Sequence, residues 1–141
     1  MADEQIQTNR PTPFGYELIR DHVIPSILGK HEGDILYWAG KEIARKFPVF
    51  TTEEIPTFFT EAGWGTLSLE KMTKKEAIYQ LFVAAPPVNK DDRNYQLEAG
   101  FIAEQHQKLN GYLTECYASV NPKQQTIQFQ LAWDMKETID S

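Results

Sequence analysis

The chain has 141 residues, a hydrophobic fraction of 41% and an aromatic fraction of 12%, which is ample material for one packed domain and too much for a disordered chain. Fourteen Lys and Arg stand against 20 Asp and Glu, a net charge of −6 with no basic cluster. That balance argues against nucleic acid as a partner, because affinity for a phosphate backbone rests on several cationic contacts.

Cys116 is the only cysteine, so no intrachain disulfide can form and nothing suggests an oxidising compartment. The opening Met-Ala-Asp-Glu-Gln is acidic and lacks the apolar core of a signal peptide. No apolar run approaches the roughly 20 residues that span a bilayer. The expectation is a cytoplasmic protein without a membrane span.

Residues 1–13 are polar and carry Pro11 and Pro13, the pattern of a loose arm. A first helix is expected from Gly15 to Leu28, with Tyr16, Ile19, Val23 and Ile27 as its inner stripe. Ile24 and Leu28 lie away from that stripe, so the helix is apolar on two sides. Pro25 removes one backbone donor and should kink or tighten the last turn. A two-sided helix in a domain of this size suggests a subunit interface. A homodimer with Ile19, Val23, Ile24 and Leu28 at its contact is therefore expected.

After a short connection, Gly33 to Pro48 reads as an amphipathic helix with Leu36, Ala39, Gly40, Ile43 and Phe47 on its core face. Asp34 near its start and Arg45 and Lys46 near its end match the helix dipole. Trp38 falls on the opposite side, between Lys41 and Arg45. It could be a surface indole stacked on Arg45, an interface residue or a pocket lining.

Thr51 and Glu54 have the spacing of a capping box, opening a third helix to about Ala62 that buries Ile55, Phe58 and Phe59, with Gly63 after its end. The period then changes from 3.6 to 2. Leu67 and Leu69 mark a strand with one wet face, and Ile78 to Ala85 a central strand apolar on both sides. Pro86-Pro87 ends it, and Val88 to Asn94 forms a polar loop. A long helix is expected from about Tyr95 to Val120, with Ile102, His106, Leu109, Leu113, Cys116 and Val120 as its apolar stripe. Gly100, Gly111 and Ala118 leave its opposite face smooth. The last strand, Thr126 to Asp134, turns Ile127, Phe129, Leu131 and Trp133 inward. The fold class is α+β: N-terminal helices, an antiparallel sheet and a long helix, in one domain over 14–135 with a tail from 136.

Catalytic signals are weak. His22, His31 and His106 include no pair at i, i+4, and His22 and His31, although flanked by Asp21, Glu32 and Asp34, read as solvated residues rather than metal ligands. His106 within an apolar stripe reads as a core histidine with a hydrogen-bond partner. Cys116 on the same helix would be about 15 Å away, too far for a nucleophile and its base. No phosphate-binding or nucleophile-elbow pattern occurs. The expectation is a protein that is not an enzyme and uses no cofactor or metal.

The run Gly29-Lys30 through Asp34-Ile35-Leu36-Tyr37-Trp38-Ala39-Gly40-Lys41-Glu42-Ile43-Ala44-Arg45-Lys46-Phe47-Pro48, followed by Gly63-Trp64-Gly65, resembles the YslB-like family of uncharacterised Gram-positive bacterial proteins. That family in turn resembles vinyl-4-reductase domains and the Bet-type subunits of the TRAPP tethering complex, the ligand-binding fold of nitric-oxide signalling and Golgi transport. The resemblance implies dimerisation through the N-terminal helices and an apolar cavity between helices and sheet. The paired cysteines of many ligand-binding relatives have no counterpart in Gln124 to Trp133. Together with the aromatic surplus and the misplaced Trp38, this yields an expected site for a small hydrophobic ligand at Trp38, Phe58, Phe59, Trp64 and Gly111. The competing expectation is a protein–protein adaptor with a packed core.

Overall fold

The computed structural model describes residues 11–83, 93–121 and 123–139. The expected N-terminal arm up to residue 10, Ala84 and Ala85, the Pro86-Pro87 break, the polar loop as far as Asp92, and residues 140–141 of the tail lie outside the described residues. The first helix is built in pieces: α1 (Pro13–Glu17), a π-helical stretch (Leu18–Val23) and α2 (Ile24–Leu28). A 3₁₀ turn (Gly29–His31) leads into α3 (Glu32–Lys46), and α4 (Glu54–Glu61) follows. Then come the strands β1 (Thr66–Met72) and β2 (Glu76–Phe82), the helix α5 (Gln96–Asn110), and the strands β3 (Tyr112–Asn121) and β4 (Thr126–Thr138). The four strands form one antiparallel sheet in the order β1-β2-β4-β3.

The expected helix from Tyr95 to Val120 is therefore half helix and half strand. Asn110-Gly111 is the break: Gly111 adopts a left-handed φ of 79° and its N–H closes the last turn on Gln107 O at 2.8 Å. Leu113, Cys116, Ala118 and Val120 lie on β3, where Cys116 pairs with Leu131 and Ala118 with Phe129. Gly111 belongs to a helix end, and no smooth helical face joins it to Gly100 and Ala118.

Every residue of α5 from Glu98 to His106 is buried. One side of the helix meets the inner face of the sheet, where Tyr79, Leu81, Phe129 and Leu131 are fully covered. The other meets α3, so closely that Cβ atoms cannot fit between them. A methyl group on Gly40 would lie 2.0 Å from Leu97 O, and one on Gly100 would lie 2.0 Å from Tyr37 O. The buried line of α3 is Leu36, Gly40 and Ala44. Ala39 and Ile43 are only partly covered, and Phe47 remains 58% exposed. Gln105 ties the end of α3 to α5, donating from Nε2 to Phe47 O at 2.9 Å and accepting the Val49 N–H at 3.2 Å.

α4 begins with the reach-back half of the expected capping box. The Glu54 carboxylate accepts the N–H groups of Phe50 and Thr51 at 2.6 and 2.8 Å. It ends at Gly63, where φ is 72°. Leu67 on β1 is buried as expected, but Leu69 is 44% exposed at the sheet's edge. On β3 the outward amides of Thr114 and Cys116 are capped by Gln107 Oε1 and Tyr37 Oη, both at 3.2 Å, which blunts that edge against further pairing. β4 continues past Asp134 to Thr138, pairing with Tyr112 across an irregularity in the register.

His106 is a core residue with a partner. Its Nε2 lies 2.7 Å from Tyr79 Oη, and its ring stacks on Trp133 with centroids 6.0 Å apart. Burial disfavours the imidazolium and lowers the His106 pKa to about 4.

Two outcomes test this packing. Gly40→Ala forces the α3–α5 backbones apart and should lower unfolding free energy by about 3 kcal/mol or more in denaturant titration. Gly33→Ala, where the nearest atom to a new methyl is Asn94 Nδ2 at 3.5 Å, should instead gain about 0.5 kcal/mol from helix propensity. Because the folded pKa of His106 is depressed, only the unfolded chain takes up that proton as pH falls from about 6.5 to about 4. Stability should fall by up to roughly 3 kcal/mol across that window from this group. Comparing unfolding at pH 7.5 and 4.5 in wild type and His106→Gln should show a smaller pH loss in the variant.

Candidate functional site

The first helix keeps Tyr16 of its expected inner stripe inside but turns the rest of that stripe out. Its inner side carries Tyr16 and Arg20, while Ile19, Val23 and Ile27 face outward at 58, 46 and 74% exposure. Phe14 and Leu18 join them on the surface, and on α3 so do Ile35 and Trp38. The expected contact residues Ile24 and Leu28 are partly buried, whereas Ile19 and Val23 are open.

The cause of this orientation is ionic. Arg20, only 2% exposed, grips the carboxylate of Glu98 on α5 with both terminal nitrogens, at 3.0 and 2.6 Å. Its Nη2 also donates to Asn94 O at 2.7 Å, and its Nη1 to the Tyr16 hydroxyl at 2.5 Å. The next residue, Asp21, is held in the same bidentate way by Arg93, at 2.8 and 2.7 Å. Burial alone would weaken the charge on Arg20, but the Glu98 carboxylate outweighs it and holds the guanidinium pKa above its ordinary value. Arg93 is raised by its contact with Asp21 against the same opposing burial. Burial raises the Tyr16 hydroxyl, and raises the Glu32 carboxyl nearby. Both guanidinium groups also approach the Tyr16 ring, at 5.9 Å for Arg20 and 5.3 Å for Arg93.

Adjacent residues that must both reach inward strain a 3.6-residue period. The π-helical stretch spans this pair and widens the turn. No local pattern in the sequence points to this arrangement, since Arg93 and Glu98 lie more than 70 residues away from their partners. The neighbours Arg20-Asp21, opposite in sign within an apolar stretch, are the single hint.

The expected ligand residues do not converge on one space. Phe58, Phe59 and Trp64 form an aromatic cluster with Phe101: Phe58 stacks on Phe101 at 4.3 Å, and Trp64 meets Phe59 and Phe101 edge-on at 5.0 and 5.5 Å. Their mutual contacts occupy the region between α4, α5 and the sheet. Trp38 is 60% exposed on the outer side of α3, and Gly111 caps α5. Arg45 is not stacked on Trp38 but bonded to Glu42 and Glu104. The cation–π contacts among the described residues involve Tyr16 and Tyr37 instead.

A separate groove of about 480 Å³ runs beneath the start of the first helix, lined in part by Pro13, Tyr16, Ala62, Gly63, Val83 and Arg93. Cys116 is buried on the inner face of β3, and its thiol pKa is pushed up by that burial. Of the acidic residues flanking His22 and His31, Asp21 is paired with Arg93. Among the described residues no group of three or more His, Cys, Asp or Glu side chains could hold a metal ion, and no helix is long and apolar enough to cross a membrane.

Known proteins place this architecture. The chain is 41% identical over 129 residues to the uncharacterised protein YslB of Bacillus subtilis strain 168, covering 89% of this chain and 87% of that protein. Among solved structures, a vinyl-4-reductase family protein from Methanocaldococcus jannaschii superimposes with a TM-score of 0.67 at 18% identity, covering 94% of this chain and 88% of the other. A trafficking protein particle complex subunit 3 from Naegleria fowleri matches with a TM-score of 0.45 at 15% identity, covering 99% and 92%. The α+β fold is thus shared with the first of these structures. With residues 13–132 matching the family described as protein of unknown function DUF2507, the chain belongs to that family.

Proposed function

We propose that this chain is a non-catalytic assembly domain that pairs with a second copy of itself through the outer face of its first helix. The observation that carries this reading is the orientation of that helix. Ile19, Val23 and Ile27 are exposed although a half turn of the helix would hide them, and buried ion pairs hold the helix against that turn. An apolar stripe fixed toward solvent is stabilised when a partner removes it from water, at about 25 cal/mol per Å² covered. Two copies related by a two-fold axis would each offer the same stripe, which is the simplest way to cover it. The single buried thiol is in keeping with a cytoplasmic setting.

The non-catalytic part of the reading is supported by the state of His106 and Cys116, two side chains with reactive potential. His106 is held neutral against Tyr79 and Trp133, and Cys116 is held as a thiol. Both side chains are buried.

A second reading, a pocket for a small hydrophobic molecule, draws on the groove beside Tyr16 and Val83, whose lining is more apolar than polar. The aromatic cluster of Phe58, Phe59, Trp64 and Phe101 favours the assembly reading over a ligand site at those residues, because the rings already satisfy one another.

Native mass spectrometry of the purified protein distinguishes the readings, since it reports subunit count and any retained small molecule together. A dimer without added mass is expected at micromolar concentration. Ile19→Glu combined with Ile27→Glu, both on the open face, should leave helical content unchanged by circular dichroism and weaken self-association at least a hundredfold. A wild type that stays monomeric at high concentration would remove the assembly reading.

A further inference from the structure

We propose that the first helix is a latch, held to the body by two buried ion pairs and opening as a unit about Gly29 while the rest of the domain stays folded. The inference does not depend on what, if anything, covers the helix from outside.

Three observations carry it. First, the helix contributes almost nothing to the core: across α1, the π-helical stretch and α2, Arg20 is the one buried residue. Tyr16 is the only one of their apolar side chains that packs, partly buried, against the central cluster. By contrast α5 has nine consecutive buried residues. Opening units are those with few buried apolar contacts, because little hydrophobic free energy opposes their release. Second, what does hold the helix is specific and localised. Arg20 on Glu98 and Asn94, and Asp21 on Arg93, bring four charged side chains within a short stretch of the helix, each at most 7% exposed. Paired charges of this kind return much of their attraction to water when they separate, so the latch can release without leaving an insoluble surface behind. Third, the connection contains a pivot. Gly29 has φ 56° and ψ −133°, a conformation open to glycine and strained for other residues, and apart from its chain neighbours no residue comes within 4 Å of where its Cβ would be. Gly29 is where the hydrogen-bonded turn changes direction between α2 and the 3₁₀ turn, its N–H closing on Pro25 O and its carbonyl accepting from Glu32.

Opening would bare Glu98 and Tyr95 at the N-terminal end of α5, together with the neighbouring start of α3. The α3–α5 crossing and the sheet would keep their contacts, since neither includes a residue of the first helix.

Native-state hydrogen exchange on the full chain tests this directly, run dilute enough that light scattering shows monomer. In wild type, amides of residues 18–28 should exchange at least a hundredfold faster than those of Ala99 to Gln105, and their opening should depend little on denaturant, as a small unit's does. Arg20→Met leaves Glu98 buried and unpaired and should speed exchange in the helix by a further tenfold or more, with Ala99 to Gln105 affected less. The double change Arg20→Met with Glu98→Leu replaces the pair by apolar contact and should return helix exchange to the wild-type rate or below. If residues 18–28 in wild type exchange only with the same free energy and denaturant dependence as α5, the helix is part of the global unit and the latch is refuted. A double variant as open as Arg20→Met would equally overturn it, because the helix would then be responding to general damage. Asp21→Asn, milder than either, should raise helix exchange alone; uniform change across the chain would count against the proposal.

Discussion

The backbone contact between α3 and α5 at Gly40 and Gly100 governs the rest of the molecule. With a Cβ excluded on both helices, the pair approaches until the carbonyls of Leu97 and Tyr37 occupy the space that side chains would otherwise fill. Interiors are close-packed, so such an approach cannot be relaxed locally; it fixes the distance and register of both helices. Leu36 and Ala44, one turn to either side of Gly40 on α3, are buried as well. The run of buried residues from Glu98 to His106 follows, because a helix pressed against α3 on one side and the sheet on the other has little surface left.

Burying a whole helical segment brings polar residues inside with it, and each must find a partner. Gln105 answers the open backbone groups of the turn after α3, bonding Phe47 O and the Val49 N–H. His106 meets Tyr79, and Glu104 meets Arg45. Glu98 takes Arg20 from the first helix. The low hydrophobic contrast of this helix is therefore a consequence of its position. It is central, and its polar members are the points at which other elements attach.

Legibility in the sequence varied for physical reasons. β1 and β4 are visible because one face is wet: on β4 Gln128 and Gln130 alternate with Ile127, Phe129 and Leu131 as the period demands, while β2 is visible as an apolar run and is central, between β1 and β4. α3 is visible in its extent, though its buried line is displaced toward Ala44 because a glycine crossing, rather than large side chains, decides what faces inward. β3 was hidden. Its Leu113, Cys116 and Val120 continue the apparent helical stripe of Ile102 and His106, and only Asn110-Gly111 interrupts it. In the first helix only Tyr16 of the expected inner stripe faces inward, because the apolar repeat of Ile19, Val23 and Ile27 is the stronger periodic signal in the sequence. What turns it outward is an interaction with Arg93 and Glu98, which no local window contains. The expected ligand cluster was half legible: Phe58, Phe59 and Trp64 do gather, yet they gather on one another and on Phe101.

The outward stripe of the first helix shows what buried ion pairs contribute. Compared with well-packed apolar residues of similar volume, an ion pair in the interior adds little net stability, since its attraction is largely offset by lost hydration. It does distinguish strongly between orientations. Rotating the first helix by half a turn would bury Ile19, Val23 and Ile27, each worth about 1.5–3 kcal/mol when fully covered. The same rotation would leave Glu98 and Arg93 facing apolar side chains in place of their partners, at several kcal/mol for each stranded charge. Because Ile19, Val23 and Ile27 are already partly covered, at 58, 46 and 74% exposure, the rotation gains less than the about 3–5 kcal/mol lost at each of two stranded charges, so the helix keeps its polar side in. The outer stripe is then the cost of that choice, and an assembly that covers the stripe would recover it without disturbing either pair.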